Sequence, residues 1–195
     1  EKNGLVVLVT NAPRPRPSVE KQINKLGINK SHYDFLLTSG ELTSELLGTN
    51  HKNKIKVFHI GITNKNSVFE NIKLYNRVLE IEIVTLADAE IIVCTEPFNP
   101  ELDTLDNYND ILSEGIKRDL PFVCSNPDFV VDIGGKRELC AGSIADRYES
   151  LGGQTTYLGK PFSTIYERVY QFVSTRIKLE KNKFLCVGDG INTDI

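Results

Sequence analysis

The sequence predicts an α/β fold in which strands of a parallel sheet alternate with helices, and three observations carry that prediction. Short apolar, β-branched runs recur along the 195 residues, and several lack the polar alternation of a half-exposed strand. Stretches with amphipathic helical spacing lie between them. Polar clusters follow three of the runs, as expected where loops leave the carboxyl ends of strands.

In chain order the runs are GLVVLV, DFLL, IKVFHI, IEIV, AEIIVC, LPFVC, TTYL and KFLCV. A strand covered on both faces needs no polar side, so continuous runs such as AEIIVC suit the interior of a parallel sheet. The first helix is expected in PSVEKQINKLG, where Val19, Ile23 and Leu26 share one face, Pro17 lies near the start and Gly27 supplies the stop. A second is expected in KPFSTIYERVYQFVSTRIK, with Phe162, Ile165, Val169 and Phe172 as its apolar stripe and Pro161 placed to begin it. Strand alternating with helix implies crossover connections. Polar, turn-rich stretches at GTNHKNK (48–54) and DIGGKREL (132–139) interrupt the pattern as linkers or surface loops. The segment between them carries strand and helix signals of its own, which suits an inserted α/β module.

Composition narrows the partners. With 40% apolar and 25% charged residues and a net charge of -3, the chain has no basic excess to attract nucleic acid or an anionic membrane surface. No apolar run approaches the length of a membrane span, no signal peptide leads the sequence, and a cytoplasmic location is expected. Of the four cysteines, Cys94, Cys124 and Cys186 sit inside apolar runs, and neither they nor Cys140 form a Cys-x-x-Cys; buried reduced thiols are expected. The start at Glu1 and the absence of Met and Trp suggest a piece of a longer protein.

The chemistry is expected in VLVTNAPRP, YLGKP and CVGDGINTD. Thr10 and Asn11 offer a hydroxyl and an amide, Lys160 a fixed positive charge, and Asp189 and Asp194 hard oxygen ligands. Gathered at one sheet edge, these groups could hold a phosphate and a magnesium ion, which prefers carboxylate oxygens, water and substrate phosphate. Each also has a structural reading. Thr-Asn after a strand is a common turn or helix cap, a lysine before proline can be a solvated charge ahead of a helix, and the aspartates can cap a turn and a helix start. GDG lacks the third glycine of a dinucleotide-binding loop.

In their order, LVTNAPRP, TSGE, CSNPD, LGKP and VGDGINTDI resemble the haloacid dehalogenase superfamily of phosphohydrolases. The wording looks like its class IIA branch, which includes the NagD-type and p-nitrophenyl-phosphatase-like enzymes. The resemblance runs from Gly4 to Ile195. It implies a Rossmann-like core with a parallel sheet and an inserted α/β cap, the core formed by 1–43 and 145–195 and the cap by 44–144. It further implies a magnesium-dependent phosphatase that acts on a small phosphorylated metabolite through an aspartyl-phosphate. Thr10 would bind the phosphoryl group, Lys160 would neutralise the aspartyl-phosphate, and Asp189 would be a magnesium ligand. Asp194 would organise the ion's water or the lysine, while Asn126 and Asp128 would serve substrate contact or cap closure; Asn11 joins the substrate-binding set. The family's nucleophile and general acid/base belong to an Asp-x-Asp on the first core strand, expected ahead of Gly4. Only Glu1 among the residues before Thr10 is acidic. The chain is thus expected to lack the first core strand and the last ones, and to be inactive by itself. A non-catalytic phosphate-binding or regulatory protein of the same fold is the alternative.

Overall fold

Residues 7–38 form the first α/β unit. In the computed structural model, which describes residues 4–62, 67–178, 180–191, 193 and 194, β1 (Val7–Thr10) runs parallel to β2 (Phe35–Thr38) in the register Val7↔Phe35 to Thr10↔Thr38. The crossover between them is α1 (Arg16–Lys25), with proline in its first turn and Gly27 beyond its end at φ 87°. The outer face of β2 meets α1 through Val19, Tyr33 and Leu36.

The next helix, α2 (Ser39–Asn50), follows β2 directly, and Thr38 caps it by accepting the Glu41 N–H at 2.9 Å. Five parallel strands then form a second sheet in the order β4-β3-β5-β6-β9. They are β3 (Lys54–Ile60), β4 (Glu80–Ile83), β5 (Ile91–Cys94), β6 (Phe122–Cys124) and β9 (Thr155–Tyr157). Helices α3 (Ser67–Asn71), α4 (Asn109–Lys117) and α5 (Ala141–Ser150) lie on its connections, and α6 (Ser163–Ser174) follows β9. Side chains of β5 point alternately to two apolar clusters. Ile91 and Val93 face β2, α2 and α6, whereas Ile92 and Cys94 face α4 and α5. Covered faces on both sides are the reason IIVC carries no polar alternation. β9 lies past residue 144 yet pairs with β6, so the sheet of segment 44–144 is completed from outside it.

The first cluster includes Phe35, Val57, Val93, Ile165 and Val173, and so joins the first unit to the five-stranded sheet. Within it Phe172 of α6 stacks on Phe35 at 3.8 Å. Arg16 covers the Phe35 ring and Arg176 the Phe172 ring, which makes a four-tiered stack of Arg16, Phe35, Phe172 and Arg176.

Three expectations change. KFLCV, expected as a strand, forms none: Lys183 ends a 3-10 turn, the rest takes no regular structure, and Leu185 and Val187 are each 87% exposed. A strand needs a neighbour for its N–H and C=O groups, and this segment pairs with none among the described residues. Cys186 within it is consequently exposed, whereas Cys94, Cys124 and Cys140 are buried thiols, and all four are free. DIGGKREL belongs largely to an antiparallel hairpin of β7 (Val130–Ile133) and β8 (Lys136–Leu139), with Gly134 at φ 60° and Gly135 at φ 81° in the two-residue turn. Two consecutive positive φ values make the turn whose twist suits a hairpin, and glycine tolerates both.

At the carboxyl end of β3, His59 is 9% exposed with its Nε2 2.9 Å from Thr95 Oγ1, and burial lowers its pKa to about 4. In the unfolded chain an imidazole takes up its proton near pH 6.5. Acidification from there to about pH 4 thus favours the unfolded state, which binds the proton first. Stability against urea should fall by up to roughly 3 kcal/mol across that window, and His59→Gln should flatten this part of the curve.

Candidate functional site

Residues that follow the carboxyl ends of β1, β6 and β9 meet, and polar side chains join them. The hydroxyls of Thr43 on α2 and Ser125 are hydrogen-bonded at 2.7 Å, with both residues buried. At the tip of β1, Thr10 Oγ1 accepts the Ala12 N–H at 3.2 Å, which turns the chain sharply after the strand. The loop that follows lies across the first turn of α2. The Arg14 carbonyl accepts the Thr38 hydroxyl at 2.7 Å, and the Gly40 N–H donates to the Ala12 carbonyl at 3.1 Å. A Cβ on Gly40 would come within 2.6 Å of the Pro13 carbonyl carbon and 2.5 Å of that of Arg14. Backbone is all that can yield there, so Gly40→Ala should destabilise by about 2–3 kcal/mol, read as a lower urea midpoint with an unchanged slope.

Asn11 is buried and makes three hydrogen bonds. Its Oδ1 accepts the Lys160 N–H at 2.7 Å, and its Nδ2 donates to the Lys160 carbonyl at 3.0 Å and to Asp128 Oδ1 at 2.9 Å. Asp128 in turn donates its N–H to Asn126 Oδ1 at 3.1 Å, which shapes the SNPD turn. Gly159 precedes the lysine at φ 146°, and a Cβ there would lie 2.6 Å from Asn11 Oδ1 and 2.7 Å from Pro127 Cδ. Only glycine lets these segments approach so closely.

The Lys160 side chain leaves this clamp to pair with Asp194. Nζ donates to Asp194 Oδ1, and Asp194 Oδ2 accepts the Gly190 N–H at 3.0 Å. The lysine's hydrogen bond, and after it the Gly190 N–H, holds the Asp194 carboxyl below the usual carboxylate range. Asp189 is exposed on the same loop. Among the described residues no three His, Cys, Asp or Glu side chains are grouped to hold a metal ion. Magnesium asks for less, since one or two carboxylates with water and phosphate suffice. Asp189 fits that role as an accessible hard oxygen donor, while both Asp194 oxygens are engaged in the contacts just described.

Of the residues named from the sequence, Asn11, Asp128, Lys160 and Asp194 are therefore linked in one chain of hydrogen bonds, with Thr10 and Asn126 beside two of its members. Sequence reasoning placed Gly159 in the LGKP motif without its close approach to Asn11, and it missed the Thr43–Ser125 bridge, whose partners lie far apart in the chain. It also missed a groove of about 1080 Å³ beside β1, lined by Val7, Val9, Val169 and Leu185 and reaching Lys160 and Asp194. Among the described residues β1 pairs only with β2.

No protein-family model matches the sequence, and no curated protein matches it. Solved structures do. The chain is 36% identical to a hydrolase of the haloacid dehalogenase-like family from Brucella suis, with a TM-score of 0.84 over 97% of this chain and 67% of that one. It is 20% identical to a p-nitrophenyl phosphatase from Archaeoglobus fulgidus, with a TM-score of 0.69 over 97% and 67% of the two chains. A glycerol phosphate phosphatase from Mycobacterium tuberculosis in complex with magnesium is 14% identical, with a TM-score of 0.64 over 88% of this chain and 50% of that one. At their identities the last two share the fold. The chain spans about two thirds of the length of the first two.

Proposed function

The chain belongs to the haloacid dehalogenase-like family of hydrolases, and from that premise we propose that it falls in the class IIA branch and that the whole protein is a magnesium-dependent phosphatase of small phosphate monoesters. The observation that carries this reading is the Lys160 ammonium, held by Asp194 in front and through its own backbone by Asn11 behind, next to the Thr10 tip of β1.

The attacking group is an aspartate carboxylate on a strand for which the groove beside β1 has room. Its oxygen bonds to phosphorus as the ester P–O bond breaks, and the alcohol leaves with a proton given by the second aspartate of the Asp-x-Asp, which takes a proton back from the attacking water. Water then attacks the same phosphorus, the bond to the aspartate breaks, and inorganic phosphate departs. Thr10 hydrogen-bonds a non-bridging oxygen. Lys160 neutralises the charge that spreads over those oxygens in both steps. Asp194 aims the lysine, and the segment 44–144, completed by β9, covers the site as a cap. Asp189 would hold the magnesium ion, which supplies further positive charge to the phosphoryl oxygens when bound.

The test is an assay of the full-length protein on a panel of sugar and nucleotide phosphates, with and without a chelator. Turnover should fall at least about 100-fold on chelation and return with added magnesium. Residues 1–195 alone should show no turnover. A full-length protein that binds phosphate and hydrolyses none of the panel would be the binding protein of this fold instead.

A further inference from the structure

Resting on that reading, we infer that Asn11 is a positioning residue: it locks the backbone of Lys160 to the loop 125–128, so that docking of this loop and alignment of the lysine are one event. A primary amide has two N–H donors and one acceptor oxygen. In Asn11 both donors are taken, by the Lys160 carbonyl and Asp128 Oδ1, and the oxygen receives the Lys160 N–H. No donor remains for a substrate, and the residue is only 5% exposed. The amide's orientation is fixed by the lysine, since its N–H can meet only Oδ1 and its carbonyl only Nδ2.

The loop it holds is itself anchored from the far side. The Gly142 N–H in the first turn of α5 donates to the Asp128 carbonyl at 3.1 Å, and a Cβ on Gly142 would lie 2.5 Å from that oxygen. Asp128 is thus gripped through its backbone by α5 and through its carboxylate by Asn11. The hairpin β7–β8 starts two residues later, so a shift of loop or hairpin reaches Lys160 through a single side chain. In the opposite direction, the lysine's Nζ meets Asp194. The path runs α5, Asp128, Asn11, Lys160, Asp194, and each link is a hydrogen bond.

The inference separates two roles that a loss of activity would confuse. Asn11→Asp keeps an acceptor for the Lys160 N–H, removes both donors, and sets a carboxylate against that of Asp128. In the full-length protein it should lower kcat by about 100-fold and change KM less than about threefold, because the substrate does not touch the side chain. Asp128→Asn alone should be mild, since its amide oxygen can still accept from Asn11. The double variant Asn11→Asp with Asp128→Asn reverses donor and acceptor across the bridge and should recover at least about tenfold of the lost kcat. A steep rise in KM for Asn11→Asp with no recovery in the double variant would make Asn11 a substrate ligand and overturn the inference. An inactive wild-type protein would overturn the phosphatase reading separately. The latch would then be read in urea: Asn11→Asp should lower the midpoint and the double variant should restore it, and independent, additive effects of the two substitutions would overturn the inference.

Discussion

Lys160→Ala in the full-length protein should reduce kcat by about 10²–10³-fold, the scale seen when one preorganised donor to a developing oxyanion is removed. The transferring phosphoryl group carries its charge on three equatorial oxygens, and a fixed ammonium in a site screened from water stabilises that charge without reorganising. Two restraints fix the ammonium. The lysine backbone is clamped by Asn11, and its tip is drawn to Asp194. Both restraints should leave Lys160→Ala folded, because the Asn11 clamp uses main-chain atoms that alanine retains. Lys160→Arg should recover little, since a planar fork does not reproduce a compact point charge at that position. Normal turnover in Lys160→Ala would remove the residue from the reaction.

Asp189→Asn should cost a comparable factor of at least about 100 in kcat, with an unchanged urea midpoint, for a different physical reason. The side chain is exposed and lies outside the apolar clusters, so its replacement touches no packing. What changes is one unit of negative charge on the hard oxygen proposed to hold the ion. The loss should therefore be partly restored by raising the magnesium concentration, which distinguishes weakened metal binding from a damaged active site. For Lys160→Ala, added magnesium should restore nothing. Magnesium titrations of both variants, read as rate against ion concentration, give the comparison directly.

The α/β pattern was legible because both faces of the central strands are covered, and residues such as Ile91 to Cys94 record that as an unbroken apolar run. The first helix was legible from Pro17 and Gly27. α2 was hidden for a physical reason. Its buried face holds Ser39, Gly40, Thr43 and Ser44, and the hydroxyls of Thr43 and Ser44 are satisfied by carbonyls one turn earlier at 3.0 Å. A helix that buries polar side chains in this way leaves no apolar stripe to read. The Gly134-Gly135 pair was a hairpin signal read as a loop. KFLCV misled because its composition reports a preference for a strand, while pairing depends on a neighbour. For the site, spacing pointed to strand tips but not to their connections. Asn11 meets Asp128 and Lys160 across long stretches of chain, and only the fold brings them together.

The stack of Arg16, Phe35, Phe172 and Arg176 bears on how the polypeptide folds as it leaves the ribosome. The first βαβ unit is complete at Thr38, but the inner face of β2 is covered by Phe172, which emerges far later. Leu42, Leu47, Val57 and Val93 of the same cluster are made earlier, but the stacking partner of Phe35 is not, and that closing contact has a large sequence separation, which slows folding. Release of α6 is thus the event that completes the cover of the N-terminal unit at Phe35.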